Sequence, residues 1–172
     1  MTLLRYSLLL IFFPLLAFAA DEYQLGAGDK LKITIFDEPD LSGEFELDGA
    51  GGVALPLIGQ MQAMDLSPRE LEARIEARLL DGYLLRPRVS IEVLSYRPFY
   101  IMGEVNQPGS YPYRAGLNVL NAAALAGGFT YRADEGDIEI SREASVGGGR
   151  FEAAPLTEIK PGDVIRVKER LF

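Results

Sequence analysis

A chain of 172 residues with 25 acidic against 17 basic side chains, net charge −8, offers no basic face for nucleic acid. It contains neither cysteine nor histidine. That excludes a disulfide framework, a lipidated cysteine, a Ser-His or Cys-His nucleophile and any histidine-based metal site.

Residues 1–20 read as a secretory signal peptide. Arg5 precedes an apolar run from Leu8 to Phe18, and Ala17-Phe18-Ala19-Ala20 offers small residues for cleavage after Ala19 or Ala20. The run approaches spanning length, so a retained anchor is the alternative; Pro14 and the alanine cluster speak for cleavage. No later apolar run is long enough to span a membrane, and the acidic residues are dispersed, as on a solvated surface. The exported part is long enough for one or two small domains with their own cores and is expected to be soluble.

Residues 21–97 read as a small sheet-plus-helix unit. Leu31, Ile33 and Ile35 alternate with Lys30, Lys32 and Thr34, a half-buried strand. A turn-rich loop over 36–42 follows, then a strand through Phe45 and Leu47 and a flexible turn over 48–52. Val53, Leu55 and Leu57 resume the alternation across Pro56, and Met61 and Ala63 add a short strand after Gly59. Ser67, Pro68 and Glu70 make a capping box with Pro at the first helical position, and Leu66 and Leu71 fit a hydrophobic staple. Leu71, Ile75 and Leu79 form the buried stripe, with Glu72, Arg74, Glu76 and Arg78 outward and Gly82 as the stop. A strand over 88–96 turns Val89, Ile91 and Val93 inward, and the unit ends near Arg97-Pro98.

Residues 98–172 read as a second unit. Phe99, Ile101, Gly103 and Val105 share one strand face. Gln107-Pro108-Gly109 is a turn, with Pro presetting φ and Gly109 free to take φ > 0. Tyr111 and Tyr113 flank Pro112 in a short or edge strand. Asn118 caps a helix from Val119 to Ala126, which Gly127-Gly128 stops. A strand over 137–142 carries Ile138 and Ile140, a glycine turn occupies 147–149, and the segment from Ile159 to Val167 closes the fold. That closing segment echoes Leu25 to Ile33: an apolar residue, two others, then Gly28-Asp29 in one and Gly162-Asp163 in the other. The echo reads as a reused turn in which Gly admits φ > 0 and Asp caps backbone N–H groups. The fold class is α+β.

Little here suggests chemistry. Asp37, Glu38, Glu104, Asp134, Glu135 and Asp137 could supply a carboxylate pair, but nothing in the sequence brings two of them face to face. Leu25-Gly26-Ala27-Gly28-Asp29 precedes a strand, so it is no phosphate loop. No cofactor is expected. Tyr96, Phe99, Tyr100, Tyr111, Tyr113 and Tyr131 cluster in and around the second unit, and tyrosine suits both glycan surfaces and subunit interfaces.

Several spaced motifs resemble one family. Gly103-Glu104-Val105, Pro108-Gly109 and Tyr111, followed by a capped helix running into Gly127-Gly128-Phe129-Thr130, resemble the SLBB module, a β-grasp domain of bacterial outer-membrane polysaccharide export proteins. Upstream, Leu25 to Ile33, Pro39 to Ser42, Leu55 to Gly59, Leu66 to Leu71 and Leu85 to Val89 resemble the export domain of the same family. The resemblance covers nearly the whole exported part. It implies a non-enzymatic component of capsule or exopolysaccharide export, a periplasmic ring homo-oligomer enclosing a path for the polysaccharide. Expected partners are an inner-membrane polysaccharide co-polymerase and a separate outer-membrane β-barrel. Relatives often carry an N-terminal lipid and a C-terminal amphipathic helix. This chain has no lipidated cysteine and stops soon after its closing strand, so it is expected not to be a lipoprotein or to form a pore alone. Glu104, Tyr100, Tyr111, Tyr113 and Tyr131 are the candidate glycan or subunit contacts. A monomeric glycan-binding module and a glycan-cleaving enzyme are the alternatives.

Overall fold

The computed structural model describes residues 23–142 and 148–171; the leader read at 1–20 and residue 147 of the glycine turn lie outside them. Among the described residues no helix is long and apolar enough to cross a membrane.

The first half is built on β1 (Lys30–Ile35), whose burial alternates strictly because Leu31, Ile33 and Ile35 point into the core. It pairs antiparallel with β2 (Gly43–Glu46) on one side and β5 (Val89–Ser95) on the other. A single 3-10 turn, Pro39–Leu41, fills the loop after β1. β3 (Gly52–Leu55) and β4 (Gly59–Gln62) form a separate antiparallel hairpin. Leu57 does not continue the alternation as expected: it lies in the hairpin loop at φ 65° and is 59% exposed. The chain must reverse between Leu55 and Gly59, so period two breaks there and Ile58 is buried instead. Ala63, read as a strand residue, is buried just past β4.

Helix α1 (Pro68–Leu80) begins as its sequence dictates. The Glu70 N–H donates to Ser67 Oγ at 3.3 Å and the Ser67 N–H to the Glu70 carboxylate at 2.8 Å. That backbone hydrogen bond holds the Glu70 carboxyl below its usual range. Leu71, Ile75 and Leu79 are fully buried, and Gly82 follows at φ 91°. Glu72 and Glu76 were expected to face water, and here the reading fails. The Ile91 N–H donates to Glu72 Oε1 at 2.7 Å and the Val89 N–H to Glu76 Oε1 at 2.9 Å. β5 is an edge strand, and the helix supplies the acceptors its outer N–H groups would otherwise lack. Replacing Glu72 and Glu76 together by Ala is expected to destabilise the fold by about 1–3 kcal/mol, read as a lowered urea midpoint. An unchanged midpoint would mean water serves those N–H groups equally well.

The second half holds β6 (Phe99–Gly103), β7 (Gly109–Tyr111), α2 (Val119–Leu125), β8 (Ala133–Arg142), β9 (Gly149–Ala153) and β10 (Val164–Glu169). The sheet order is β7-β6-β10-β8-β9, with β10 parallel to β6 and the other pairs antiparallel. A central parallel pair formed by first and last strands, with one helix in the connection between them, is the β-grasp arrangement. Several expected details change. Gly109 does not take φ > 0; it opens β7 opposite Ile101. The positive φ falls at Gly103 instead, where β6 ends, so Val105 leaves the strand and bridges Phe129. β7 stops at Tyr111, before Pro112 and Tyr113, because proline carries no N–H for the ladder. β8 starts four residues earlier than expected, at Ala133, and Gly149 opens β9 opposite Arg142 instead of turning the chain.

Asn118 caps α2 with Asn121 in a reciprocal box at 2.9 and 3.3 Å, and Gly127 and Gly128 follow at φ 78° and 89°. The small residues Ala122, Ala123 and Ala126 are buried and let α2 lie close to the sheet. Two separate hydrophobic clusters result, one from residues between Leu25 and Leu79, the other from residues between Phe99 and Val167.

Candidate functional site

The repeated Gly-Asp segment folds twice into the same turn. Gly28 and Gly162 sit at φ 88° and 85°. The Asp29 and Asp163 N–H groups donate back to the carbonyls of Gly26 and Lys160, at 3.1 and 3.2 Å. Each aspartate is completely buried and accepts the N–H three residues before it, from Gly26 at 2.8 Å and from Lys160 at 2.7 Å. A buried carboxylate needs a cation as well, and each turn has an arginine. Asp163 takes Arg142 in a two-pronged contact, Nε at 2.8 Å and Nη2 at 2.6 Å. Asp29 takes Arg97, with the backbone N–H on Oδ1 at 2.8 Å and Nη1 on Oδ2 at 3.3 Å.

Arg97 joins the two halves of the chain. It follows β5 and precedes Pro98, and its side chain is 8% exposed. Nη1 also donates to the Tyr23 hydroxyl at 3.0 Å, and that hydroxyl donates to Asp29 Oδ2. Burial, then Asp29, push the Tyr23 hydroxyl far above the usual phenol range, so it stays protonated and remains a donor. A methyl group on Gly26 would fall on the Arg97 guanidinium, and one on Gly162 would stand 2.9 Å from Arg97 Nε. The side chain therefore threads between the two Gly-Asp turns, leaving its buried Nε without a hydrogen-bond partner. Around it the Gly162 N–H donates to the Pro98 carbonyl at 3.1 Å and the Tyr100 N–H to the Asp163 carbonyl at 2.8 Å. Three tyrosine rings continue the junction edge to face: Tyr23 to Tyr96 at 4.8 Å, and Tyr96 to Tyr113 at 5.5 Å.

The residues singled out in the sequence separate into two groups. Tyr113 belongs to the junction. Tyr111 stacks on Phe99 at 5.9 Å and donates its hydroxyl to the Gln107 carbonyl at 2.7 Å. Glu104 accepts from Thr130 Oγ1 at 2.5 Å, and its own carbonyl receives the Thr130 N–H at 3.1 Å, so it ties the end of β6 to the segment after α2. Tyr100, 44% exposed, stands with Met102 on the open face of the five-stranded sheet, and Tyr131 is 91% exposed. The five are not gathered at one place. Of the motif residues, Pro56 and Gly59 shape the β3–β4 loop, Gly103 brings β6 against Val167, and Gly127 packs against Asn106. Pro108 precedes β7.

Sequence reading missed Arg97 and Asn106. Asn106 donates its Nδ2 to the Gly127 carbonyl at 2.8 Å while its N–H reaches the Gly128 carbonyl at 3.0 Å, closing the end of α2. The one signal for Arg97 was a basic residue between two apolar strands. Among the described residues, no group of three or more acidic side chains stands ready to hold a metal. Asp134 accepts the Gly136 N–H, and Asp137 pairs with Lys168 at 2.6 Å, raising that amine above its ordinary range.

A sheet-and-helix unit is followed by a β-grasp unit, and the two meet where the Arg97 side chain, paired with Asp29, passes Gly162. Residues 18–94 match the family described as polysaccharide biosynthesis/export protein, and residues 98–151 match the SLBB domain. The chain belongs to the polysaccharide export protein family and carries one SLBB module. It is 37% identical over 145 residues to the exopolysaccharide production protein ExoF of Rhizobium meliloti, across 74% of this chain and 34% of that protein. It is 26% identical to the polysialic acid transport protein KpsD of Escherichia coli, across 62% of this chain and 20% of that one. A match at 26% identity to the EPS I polysaccharide export outer membrane protein EpsA of Ralstonia nicotianae covers 91% of this chain and half of that protein. The chain thus spans between a fifth and a half of these relatives' lengths.

Proposed function

We propose that the protein is a periplasmic component of a capsular or exopolysaccharide export machine. Its work is to form part of a ring-shaped conduit through which the polymer travels toward the outer membrane. The observation that carries this reading is the tandem of an export-family match and an SLBB match on two cores that meet at the Arg97 side chain. The names of the relatives, which speak of exopolysaccharide production, polysialic acid transport and polysaccharide export, point the same way. The reading includes no covalent step. Identical copies would meet head to tail and close by rotation, between an inner-membrane co-polymerase and an outer-membrane β-barrel. The leader directs export, the domain boundary falls at Arg97-Pro98, and of the four tyrosines singled out as contacts Tyr100 and Tyr131 are exposed and available to glycan or neighbouring copies.

Two measurements test it. Deleting the gene is expected to stop the surface polysaccharide from reaching the exterior, assayed as extracellular uronic acid and hexose. Normal export in the deletion strain would end the proposal. Native mass measurement at micromolar concentration is expected to show a closed oligomer; a persistent monomer would favour a glycan-binding module without a channel.

A further inference from the structure

At the end of the first sheet farthest along β1, the loop after β1 and the loop before β5 enclose a hollow of about 590 Å³, within the range of small-ligand sites. Phe36, Leu85, Arg86 and Arg88 line it, together with Asp37 and Glu38. The Arg88 guanidinium lies over the Phe36 ring, 3.9 Å from its centroid. Phe36 is 55% exposed and Leu85 94% exposed, so two apolar side chains stand in water within a lining that is otherwise largely polar. The Phe36 N–H donates to the Arg88 carbonyl at 2.9 Å, which fixes the two residues side by side at the sheet end. Among the described residues neither Arg86 nor Arg88 makes an ion pair. What sets these two guanidiniums apart is that they line one hollow, two residues apart on the same loop.

We infer that this hollow is a subsite for a carboxylate-bearing sugar of an anionic polysaccharide. The inference rests on the export reading and names the charge class of the polymer. The chemistry fits part by part. Stacking on Phe36 leaves the edge of the Arg88 fork free to hold a carboxylate in two parallel bonds, and a stacked guanidinium loses little freedom on doing so. Arg86 supplies a second cation beside it. Asp37 and Glu38 are acceptors for sugar hydroxyls, a role an arginine cannot fill. The exposed Leu85 side chain at the rim suits the C–H face of a pyranose ring. An acidic peptide would use the same two arginines, but it lacks the hydroxyl-bearing ring that Asp37, Glu38 and Leu85 would engage.

The test is calorimetric titration of the purified protein with hexagalacturonate, with neutral cellohexaose and with penta-glutamate as probes. Hexagalacturonate is expected to bind at least about tenfold more tightly than either of the others, with an affinity that falls as salt rises. Arg88→Gln and Arg86→Gln are each expected to weaken it by about fivefold or more. Among the described residues Arg86 makes no ion pair or side-chain hydrogen bond, so its variant separates loss of the site from loss of the fold. Equal binding of cellohexaose, equal binding of penta-glutamate, unchanged affinity in both variants, or no binding of hexagalacturonate would each overturn the inference. A strain carrying both substitutions that exports normally, beside a deletion strain that does not, would defeat this subsite alone. Normal export in the deletion strain would defeat the reading beneath it.

Discussion

Arg97→Met is expected to destabilise the protein by about 3–5 kcal/mol, one of the two largest losses of any single substitution considered for this fold. Asp29 has no exposure to water, and its carboxylate receives Arg97 twice, through the backbone N–H and through the guanidinium. Methionine keeps much of the volume and the backbone bond but strands the charge. The Gly26 N–H and the Tyr23 hydroxyl remain as donors and cannot neutralise it. The double variant Asp29→Asn with Arg97→Met is expected to be more stable than Arg97→Met alone, by about 1 kcal/mol or more, because no uncompensated charge is left inside. Equilibrium urea unfolding of the three proteins measures this. If Arg97→Met unfolds at the wild-type midpoint, the ion pair is not what holds the junction. The same variant should raise amide exchange at Gly162 and Tyr100, whose N–H groups bond within the second unit beside the Arg97 side chain, before it raises exchange in β1.

Gly103→Ala is the second. Two independent penalties fall on one position. The backbone is at φ 88°, where an L-residue is strained. The added Cβ would also land on the Val167 carbonyl oxygen, which is backbone of the central strand and cannot swing aside. That oxygen already accepts the Glu104 N–H at 3.0 Å. β6 and β10 would have to part at the parallel pair in the middle of the sheet. A loss of about 3 kcal/mol or more follows, a fall in Tm of about 10 °C or more. Gly109→Ala, at a strand position with ordinary φ and only the Tyr111 ring 3.9 Å away, is expected to shift Tm by less than about 3 °C. Scanning calorimetry of the two variants distinguishes them. Equal melting temperatures would show that the close approach at Gly103 relaxes without cost.

The contrast between these two glycines also shows what the sequence could tell. Gln107-Pro108-Gly109 looks like the turn, and local chemistry has no way to show that the reversal is spread over 103–108 by the crossing of β10. Elements specified locally were legible. The Ser67 box, the Leu71, Ile75 and Leu79 stripe, the Asn118 cap and the alternation in β1 all came through unchanged, because each depends on neighbours within a few positions. The Gly-Asp turn was legible too, down to its capping role. Its arginines were not, since Arg97 lies 68 residues from Asp29 and Arg142 lies 21 from Asp163. Glu72 and Glu76 were misread for the same reason: helical periodicity separates buried from unburied positions, and an edge strand 13 to 19 residues away decided what the unburied ones touch. Where each tyrosine would point was not legible, because side-chain type carries no direction. Tyr96 and Tyr113 turned inward to one another, while Tyr100 and Tyr131 turned out.

The glutamates that roof β5 restrict how copies of this protein could zip together. A sheet extends into its neighbour only where a flank still has main-chain groups to share, and on that side α1 has taken the Val89 and Ile91 N–H groups. Among the described strands, the flanks left for a backbone-to-backbone seam between copies are β2, the β3–β4 hairpin, and β7 and β9 at the borders of the larger sheet. A circular assembly stitched through β5 would first have to peel α1 away.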